Sequence, residues 1–261
     1  MWLRVLVGII LAAVIAPILV VIPMSFTSVS YFQFPPPGYS LKWYETFFDN
    51  QLWIESLLRS LTVALFTAIV SIIMGTMASV AVTRLNFWGK KLFMSLMVAP
   101  MIIPVIIVGI ALYNSFSQMK LANSLAGLVL AHSILAIPIV FMSVTASLKG
   151  VDRNLELAAV GLGSTPSGAF FKVTLHLIRP AILSGGLFAF ITSFDELVLT
   201  IFLAGPKTKT LPLAMWENIQ IQVDPTIAAV STLLIVGTVI LFLLQSWVGA
   251  SANKIKQDNS F

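Results

Sequence analysis

Six long apolar stretches constrain the fold of this chain more strongly than any other feature of its sequence. A helix needs about 20 mainly apolar residues to cross the hydrocarbon core of a bilayer. We place such spans at residues 4–26, 58–82, 92–113, 125–148, 181–203 and 226–248. Only 10% of the residues are charged, against roughly 25% in soluble domains. The sequence therefore predicts an all-α integral membrane protein with one transmembrane domain over residues 1–261.

The first stretch has an alternative interpretation as a cleaved signal peptide. Its apolar run extends from Arg4 to Phe26, which is longer than the roughly 7–15 apolar residues of a signal, and no clear small-x-small cleavage site follows it. We therefore interpret it as a retained helix. Between the first two spans, Leu41 to Phe48 predicts a short interfacial helix. Pro100 and Pro104 predict a kink in the third span.

The distribution of positive charge predicts the orientation of these spans. With the N-terminus inside, ten Lys and Arg residues lie on the cytoplasmic side and five lie outside. The outer five are Lys42, Arg59, Lys120, Lys207 and Lys209. This excess agrees with the positive-inside rule. Six spans then leave both termini in the cytoplasm, with residues 149–180 as the longest cytoplasmic segment.

The 149–180 segment has the pattern of two short helices joined by a fixed turn. Residues 153–163 are good helix formers, and Gly163 is a natural stop because glycine adopts the left-handed conformation without steric cost. Thr165 then supplies a helix cap, and Pro166 suits the first helical position. This arrangement predicts either a rigid docking surface or an amphipathic loop that rests on lipid headgroups.

The same segment resembles the EAA loop of permease subunits from binding-protein-dependent ABC importers. In that family the loop docks into the ATPase. The positions that the resemblance assigns to ATPase coupling are Glu156, Leu157, Ala158, Ala159, Gly163 and Pro166. Leu157 stands where the family has glutamate, and His176 replaces its usual proline. We therefore expect docking to depend on small and apolar residues more than on an acidic contact.

The resemblance extends to the polyamine-type permeases of this family. Residues 193–196 and 203–206 are similar to their fifth helix and outer loop, and residues 210–216 and 224–232 also match. The resemblance implies the type I ABC importer permease fold in a bacterial inner membrane, with spermidine or putrescine as cargo. Similar permeases carry opines and other nitrogen-containing organic ions.

The resemblance also implies the partners. They are a second, homologous but non-identical permease subunit, two ATPase subunits, a periplasmic substrate-binding protein and the lipid bilayer, with no nucleic acid. The run from Gly163 to Gly168 lacks the lysine and the preceding strand of a phosphate-binding loop. We expect this chain to bind no cofactor and to be no enzyme, with ATP and Mg²⁺ in the partner ATPase.

Two other classes of function have weaker support from the sequence. A self-sufficient secondary transporter would show inverted halves with broken helices at matching positions. A membrane-embedded enzyme would show a metal motif or a nucleophile with its base. Neither pattern is evident in the sequence.

Asp195 and Glu196 are the only acids within a predicted span. A charge in hydrocarbon costs at least about 2.5–3.5 kcal/mol, so such residues usually face a pathway or a partner. With Thr192 and Ser193 they form a polar stripe that would attract an organic cation. The alternative is internal pairing, for example with Lys207 or Lys209.

Two further features of the predicted spans concern helix packing. We expect His132, in the fourth span, to hydrogen-bond a neighbouring helix rather than to relay protons. Gly185 and Gly186 would allow the fifth helix to pack closely against a neighbour.

Overall fold

The computed structural model describes residues 2–221 and 223–258, without the side chains of residues 244–258. Lys254 and Lys256, which the orientation prediction counts as cytoplasmic, lie outside the described side chains. Met1, Gln222 and residues 259–261 of the predicted domain lie outside the description altogether.

Every regular element within the described ranges is helical. In chain order they are α1 (Trp2–Ser25), α2 (Lys42–Asp49), α3 (Gln51–Arg84), α4 (Lys90–Val98) with a 3₁₀ turn (Ala99–Met101), α5 (Val105–Gln118), α6 (Leu125–Lys149), α7 (Arg153–Gly161), α8 (Pro166–Ala169) with a π turn (Phe170–Thr174), α9 (Leu175–Phe194), α10 (Val198–Leu203), α11 (Leu211–Ile221) and α12 (Thr226–Asp258).

Five helical stretches of the described chain are long and apolar enough to cross a membrane. They are α1, α3, α6, the run Pro166–Phe194 and the part Thr226–Leu243 of α12. A sixth exists only if α4, its 3₁₀ turn and α5 count as one span, despite a bend of 102° between them. The first, second, fourth and sixth predicted spans thus coincide with helices, and α2 matches the predicted interfacial helix.

The prediction of one kinked helix over 92–113 is wrong, because two separate helices, α4 and α5, occupy this stretch. The chain turns sharply after Met101, and α5 begins only at Val105. Pro104 has no N–H to donate, and its ring disfavours a helical conformation at the preceding residue. Ile102 and Ile103 instead donate their backbone N–H groups to Ala99, at 3.0 and 3.2 Å.

The prediction of one helix over 181–203 is wrong at both ends. Helix α9 ends at Phe194, and the chain begins again as α10 at Val198. At the other end, the helix extends back through Pro180 to Pro166, so the second half of the 149–180 segment and the fifth span form one helix. Proline is tolerated inside membrane helices because neighbouring groups satisfy the carbonyl that it frees.

The described chain packs as two compact units. The first comprises Met1–Glu55 and Ala214–Phe261. In it, both α1 and α2 contact α12. The indole N–H of Trp43 donates to the carbonyl oxygen of Thr27 at 2.8 Å, and the rings of Phe26 and Tyr44 lie 5.2 Å apart. These contacts fix the loop after α1.

The second unit, Ser56–Leu213, is built around α6. Glycines allow α3 and α9 to approach α6 closely, as predicted for Gly185. A Cβ atom at Gly75 would lie 2.9 Å from the Cβ of Val140, and one at Gly185 would lie 3.2 Å from the Cα of Val140. On the same face of α3, the Ser79 hydroxyl donates to the carbonyl oxygen of Phe141 at 2.9 Å. Small residues and interhelical hydrogen bonds are the usual means of joining helices in membranes.

Candidate functional site

Helix α7 opens the 149–180 segment and is capped at both ends. The Asp152 carboxylate accepts the backbone N–H of Asn154 at 2.9 Å. At the other end Gly163 adopts φ +95°, the backbone N–H of Ser164 donates to Ala159 at 3.0 Å, and that of Gly163 donates to Val160 at 3.0 Å. These two bonds form a Schellman motif, which requires a left-handed residue. The predicted role of Gly163 as a helix stop is confirmed.

The second helix of the segment begins as the sequence predicts. The Thr165 hydroxyl accepts the backbone N–H of Gly168 at 3.1 Å, and Pro166 occupies the first turn. The helix then runs without interruption to Phe194. Pro166 and Phe194 are therefore the two ends of a single helical element of 29 residues.

Glu156 faces inward, towards the rest of its packing unit. Its carboxylate pairs with Nη2 of Arg84 at 2.8 Å and accepts a hydrogen bond from the Thr174 hydroxyl. Only 21% of the Glu156 side chain and 15% of the Arg84 side chain are exposed. One carboxylate thus fastens α7 both to the end of α3 and to the π turn before α9.

The apolar side chains of α7 lie on the outer surface of the described chain. Leu157 is 59% exposed, and Leu162, the residue that follows α7, is 89% exposed. Ala158, Gly163 and Pro166 are also exposed, whereas Ala159 is half-buried. The residues predicted for ATPase coupling therefore form an exposed surface, except for Glu156 and, in part, Ala159.

The Glu156 contact predicts a coupled loss of stability. Glu156→Gln and Arg84→Gln should each destabilise the unit, and the double variant should cost about 1–2 kcal/mol less than the sum, because both remove the same charged hydrogen bond. Thermal unfolding in detergent measures this. Pairing Glu156→Gln with Lys207→Gln, which removes an exposed positive charge beyond α10, is the control and should give additive losses. Additive losses for the Arg84 pair would contradict the assigned contact.

The break between α9 and α10 is the second part of the site. The Oε1 atom of Glu196 accepts the backbone N–H of Leu199 at 2.9 Å and so caps the start of α10. The Thr200 hydroxyl donates to the backbone carbonyl of Glu196 at 3.0 Å. Asp195 is exposed immediately after the end of α9, and Thr192 is half-buried. The last carbonyl groups of a helix carry partial negative charge. A cation at this position would therefore be attracted both by the Asp195 carboxylate and by the C-terminal end of α9.

His132 of α6 holds the two sides of this break together. Its Nδ1 lies 2.9 Å from the Ser193 hydroxyl, and its Nε2 lies 3.3 Å from the Thr200 hydroxyl. All three side chains are buried. The prediction that His132 hydrogen-bonds a neighbouring helix is confirmed. Ser193, which the sequence analysis places in the translocation pathway, is buried and contacts His132.

His132→Ala should destabilise the protein by about 2–3 kcal/mol, since it removes the described partner of the buried Ser193 hydroxyl and one of the two hydrogen bonds of the Thr200 hydroxyl. Ser133→Ala is the matched control. Its hydroxyl donates only within α6, to Val129 at 2.7 Å, and its loss should cost less than about 1 kcal/mol. Thermal unfolding of both variants in detergent measures the two losses of stability. Equal losses would contradict the bridging role of His132.

The two interrupted spans, α4–α5 and α9–α10, pack against each other through α5 and α10. A Cβ atom at Gly109 of α5 would lie 2.6 Å from the Phe202 ring of α10. Phe116 of α5 joins Leu199 and Leu203 in one buried cluster. Irregular backbone at membrane depth is tolerated only where protein buries it or where it lines a cavity. Half-helix ends of this kind bind substrates and ions in secondary transporters.

The two partners of His132 could not be identified from the sequence, because they lie 61 and 68 residues away. The break itself had a weak signal. Glu196 precedes by three residues the backbone N–H that its carboxylate accepts, which is the spacing of a side chain that caps the start of a helix.

Comparison with known proteins identifies relatives over nearly the whole chain. Residues 68–256 match the family described as "Binding-protein-dependent transport system inner membrane component". The chain is 32% identical to the putrescine transport system permease protein PotI of Escherichia coli strain K12, over 92% of this chain and 87% of PotI. It is 29% identical to the spermidine/putrescine transport system permease protein PotC of the same strain, over 91% of this chain and 90% of PotC.

A solved structure has the same fold. It is a bacterial alginate ABC transporter in complex with an alginate pentasaccharide-bound periplasmic protein, with a TM-score of 0.69 and 16% identity. The match covers 97% of this chain and 94% of that one.

Proposed function

Because this chain belongs to the family of binding-protein-dependent transport system inner membrane components, we propose that it is a permease subunit of an ATP-driven importer. It forms half of the transmembrane pathway for a polyamine-like organic cation. The importer lies in a bacterial inner membrane, which this chain crosses several times.

The assignment of a polyamine as the transported substrate rests on the similarity to two polyamine permeases, PotI and PotC, over more than 90% of this chain. The geometry of the break between α9 and α10 supports it. The exposed Asp195 carboxylate and the C-terminal end of α9 both favour positive charge at the same place. A polyamine offers ammonium groups on an apolar stem, which suits a carboxylate within an apolar bundle.

The importer has four kinds of partner for this chain. They are a homologous but non-identical permease subunit, two ATPase subunits, a periplasmic substrate-binding protein and the bilayer. ATP and Mg²⁺ belong to the ATPase subunits, and this chain binds neither. The family description supports the dependence on a binding protein.

The ATPase docks on the exposed apolar side of α7, at Leu157, Ala158 and Leu162. Glu156 transfers the resulting force, because it fastens α7 to Thr174 within the helix that starts at Pro166. That helix is about 40 Å long at 1.5 Å per residue. Movement of its Pro166 end therefore displaces Asp195 at the other end. The broken helix beyond Asp195 is the element that changes between inward and outward access.

Uptake of labelled polyamine by cells tests the proposed identity of the transported substrate. Deleting this chain should abolish high-affinity uptake of labelled putrescine or spermidine, and expression of the chain should restore it. An excess of unlabelled polyamine should compete, whereas an opine should not. Undiminished polyamine uptake in the deletion strain, together with loss of opine uptake, would overturn the cargo and leave the importer class in place.

A further inference from the structure

A cavity of about 480 Å³ lies among the ends of three helices in the unit Ser56–Leu213. Its walls come from the C-terminal end of α3, the N-terminal half of α4 and the C-terminal end of α6 with the residues that follow. Arg84, Lys90 and Lys149 supply three positive charges, Thr83 and Thr145 supply hydroxyls, and the remaining lining is apolar. Arg84 also pairs with Glu156, and no other residue that lines the cavity is used in the proposed coupling or translocation.

The described chain neutralises these cations only in part. Glu156 takes Nη2 of Arg84, but Nε of Arg84 is buried and has no hydrogen-bond partner among the described residues. Lys90 donates from Nζ to the carbonyl oxygen of Leu85 at 3.1 Å, which is a neutral acceptor. A buried donor without an acceptor costs about 1–3 kcal/mol, so an anion with several oxygens would be bound favourably.

Backbone groups add to the positive charge. Helix α4 begins at Lys90, and Gly89 before it adopts φ +81° and offers no side chain to cap the first N–H groups. The free N–H groups of a helix start attract anions, and phosphate above all. The positive charge of Lys90 and the free N–H groups at the start of α4 therefore lie at the same wall of the cavity.

We propose that this cavity binds the phosphate group of an anionic lipid headgroup. Arginine and lysine at helix ends are the usual means by which membrane proteins bind such headgroups. The cavity lies where the apolar helices α3 and α6 end, and so at a membrane surface. Leu92 and Leu96, on the opposite face of α4 from Lys90 and Met94, are 62% and 58% exposed, so the same helix carries an apolar face for acyl chains. A bound headgroup would hold these three helix ends together.

Native mass spectrometry and thermal unfolding of the purified full-length protein in detergent test the proposal. Phosphatidylglycerol should bind and raise the unfolding temperature more than phosphatidylcholine does. The variant Lys90→Gln/Lys149→Gln keeps Arg84 and its ion pair, and it should bind phosphatidylglycerol about fivefold more weakly for each lysine removed. Lys91→Gln removes the same charge from the neighbouring residue, which does not line the cavity, and should behave as wild type.

Titration with inorganic phosphate distinguishes the source of the anion. Phosphate without lipid should have little effect if the headgroup is the ligand. Stabilisation by phosphate that the double lysine variant loses, without any preference for phosphatidylglycerol, would overturn the lipid assignment. An equal loss of lipid binding in Lys91→Gln would overturn the site, because it would show a general surface charge effect. Absence of any response to either ligand would overturn it as well.

Discussion

Gly163→Val is expected to abolish most ATP-driven uptake while the partner ATPase still hydrolyses ATP. Gly163 holds φ +95° in the motif that ends α7. Valine is strained in this conformation by about 1–3 kcal/mol, which corresponds to a shift of roughly 5- to 150-fold between two arrangements of the turn. A Cβ atom at Gly163 would meet no atom within 4 Å, so the effect comes from the backbone and not from a clash.

Gly161→Ala is the matched control for this prediction. Gly161 lies two residues earlier, inside α7, and a Cβ atom there also meets no atom within 4 Å. Alanine favours the helix by up to about 1 kcal/mol relative to glycine, and uptake should be unchanged. ATPase activity and uptake are measured on the same complex in proteoliposomes. Normal coupling in Gly163→Val would refute the role of the turn.

Asp195→Asn should lower polyamine uptake by roughly tenfold to a hundredfold, the equivalent of about 1.5–3 kcal/mol for one hydrogen bond to a charged group. The substitution keeps the size of the side chain and removes its charge beside the C-terminal end of α9. Initial rates of labelled putrescine uptake at low substrate concentration measure the loss.

Glu196→Gln is the comparison for Asp195→Asn. The amide oxygen of glutamine can still accept the backbone N–H of Leu199 and so keep the cap on α10. Its loss of uptake should therefore be clearly smaller. Wild-type uptake in Asp195→Asn would show that this carboxylate does not face the cation, whatever the result for Glu196→Gln.

Much of the helical layout was predictable because it depends on local chemistry. The apolar length of α6, the stop at Gly163 and the cap at Thr165 each depend on residues within a few positions of one another. The close packing of Gly185 was predictable because small residues have few other uses inside a membrane helix.

The breaks and the direction of Glu156 were not predictable in the same way. Glu156 turns inward because Arg84, 72 residues earlier, ends α3 beside it. The two sides of the broken fifth span are joined by His132, 61 residues before Ser193. Hydropathy alone favours one continuous helix over residues 181–203, since neither contact changes the apolar average of that stretch.

These long-range contacts also explain how the substituted loop motif can work. Leu157, at the family's glutamate position, is exposed, while Glu156 is used internally. Under the proposed function, the docking surface of this chain is apolar, and the Glu156 carboxylate connects α7 to the helix that ends at Phe194. ATPase docking and the connection to that helix are then assigned to adjacent residues, Leu157 and Glu156.

Uptake by the purified complex in proteoliposomes tests the proposed mechanism most directly. The chain should co-purify with an ATPase, and labelled putrescine should accumulate only when ATP is present on the ATPase side and the binding protein is present on the other. Putrescine uptake driven by this chain alone, without an ATPase, would contradict the mechanism.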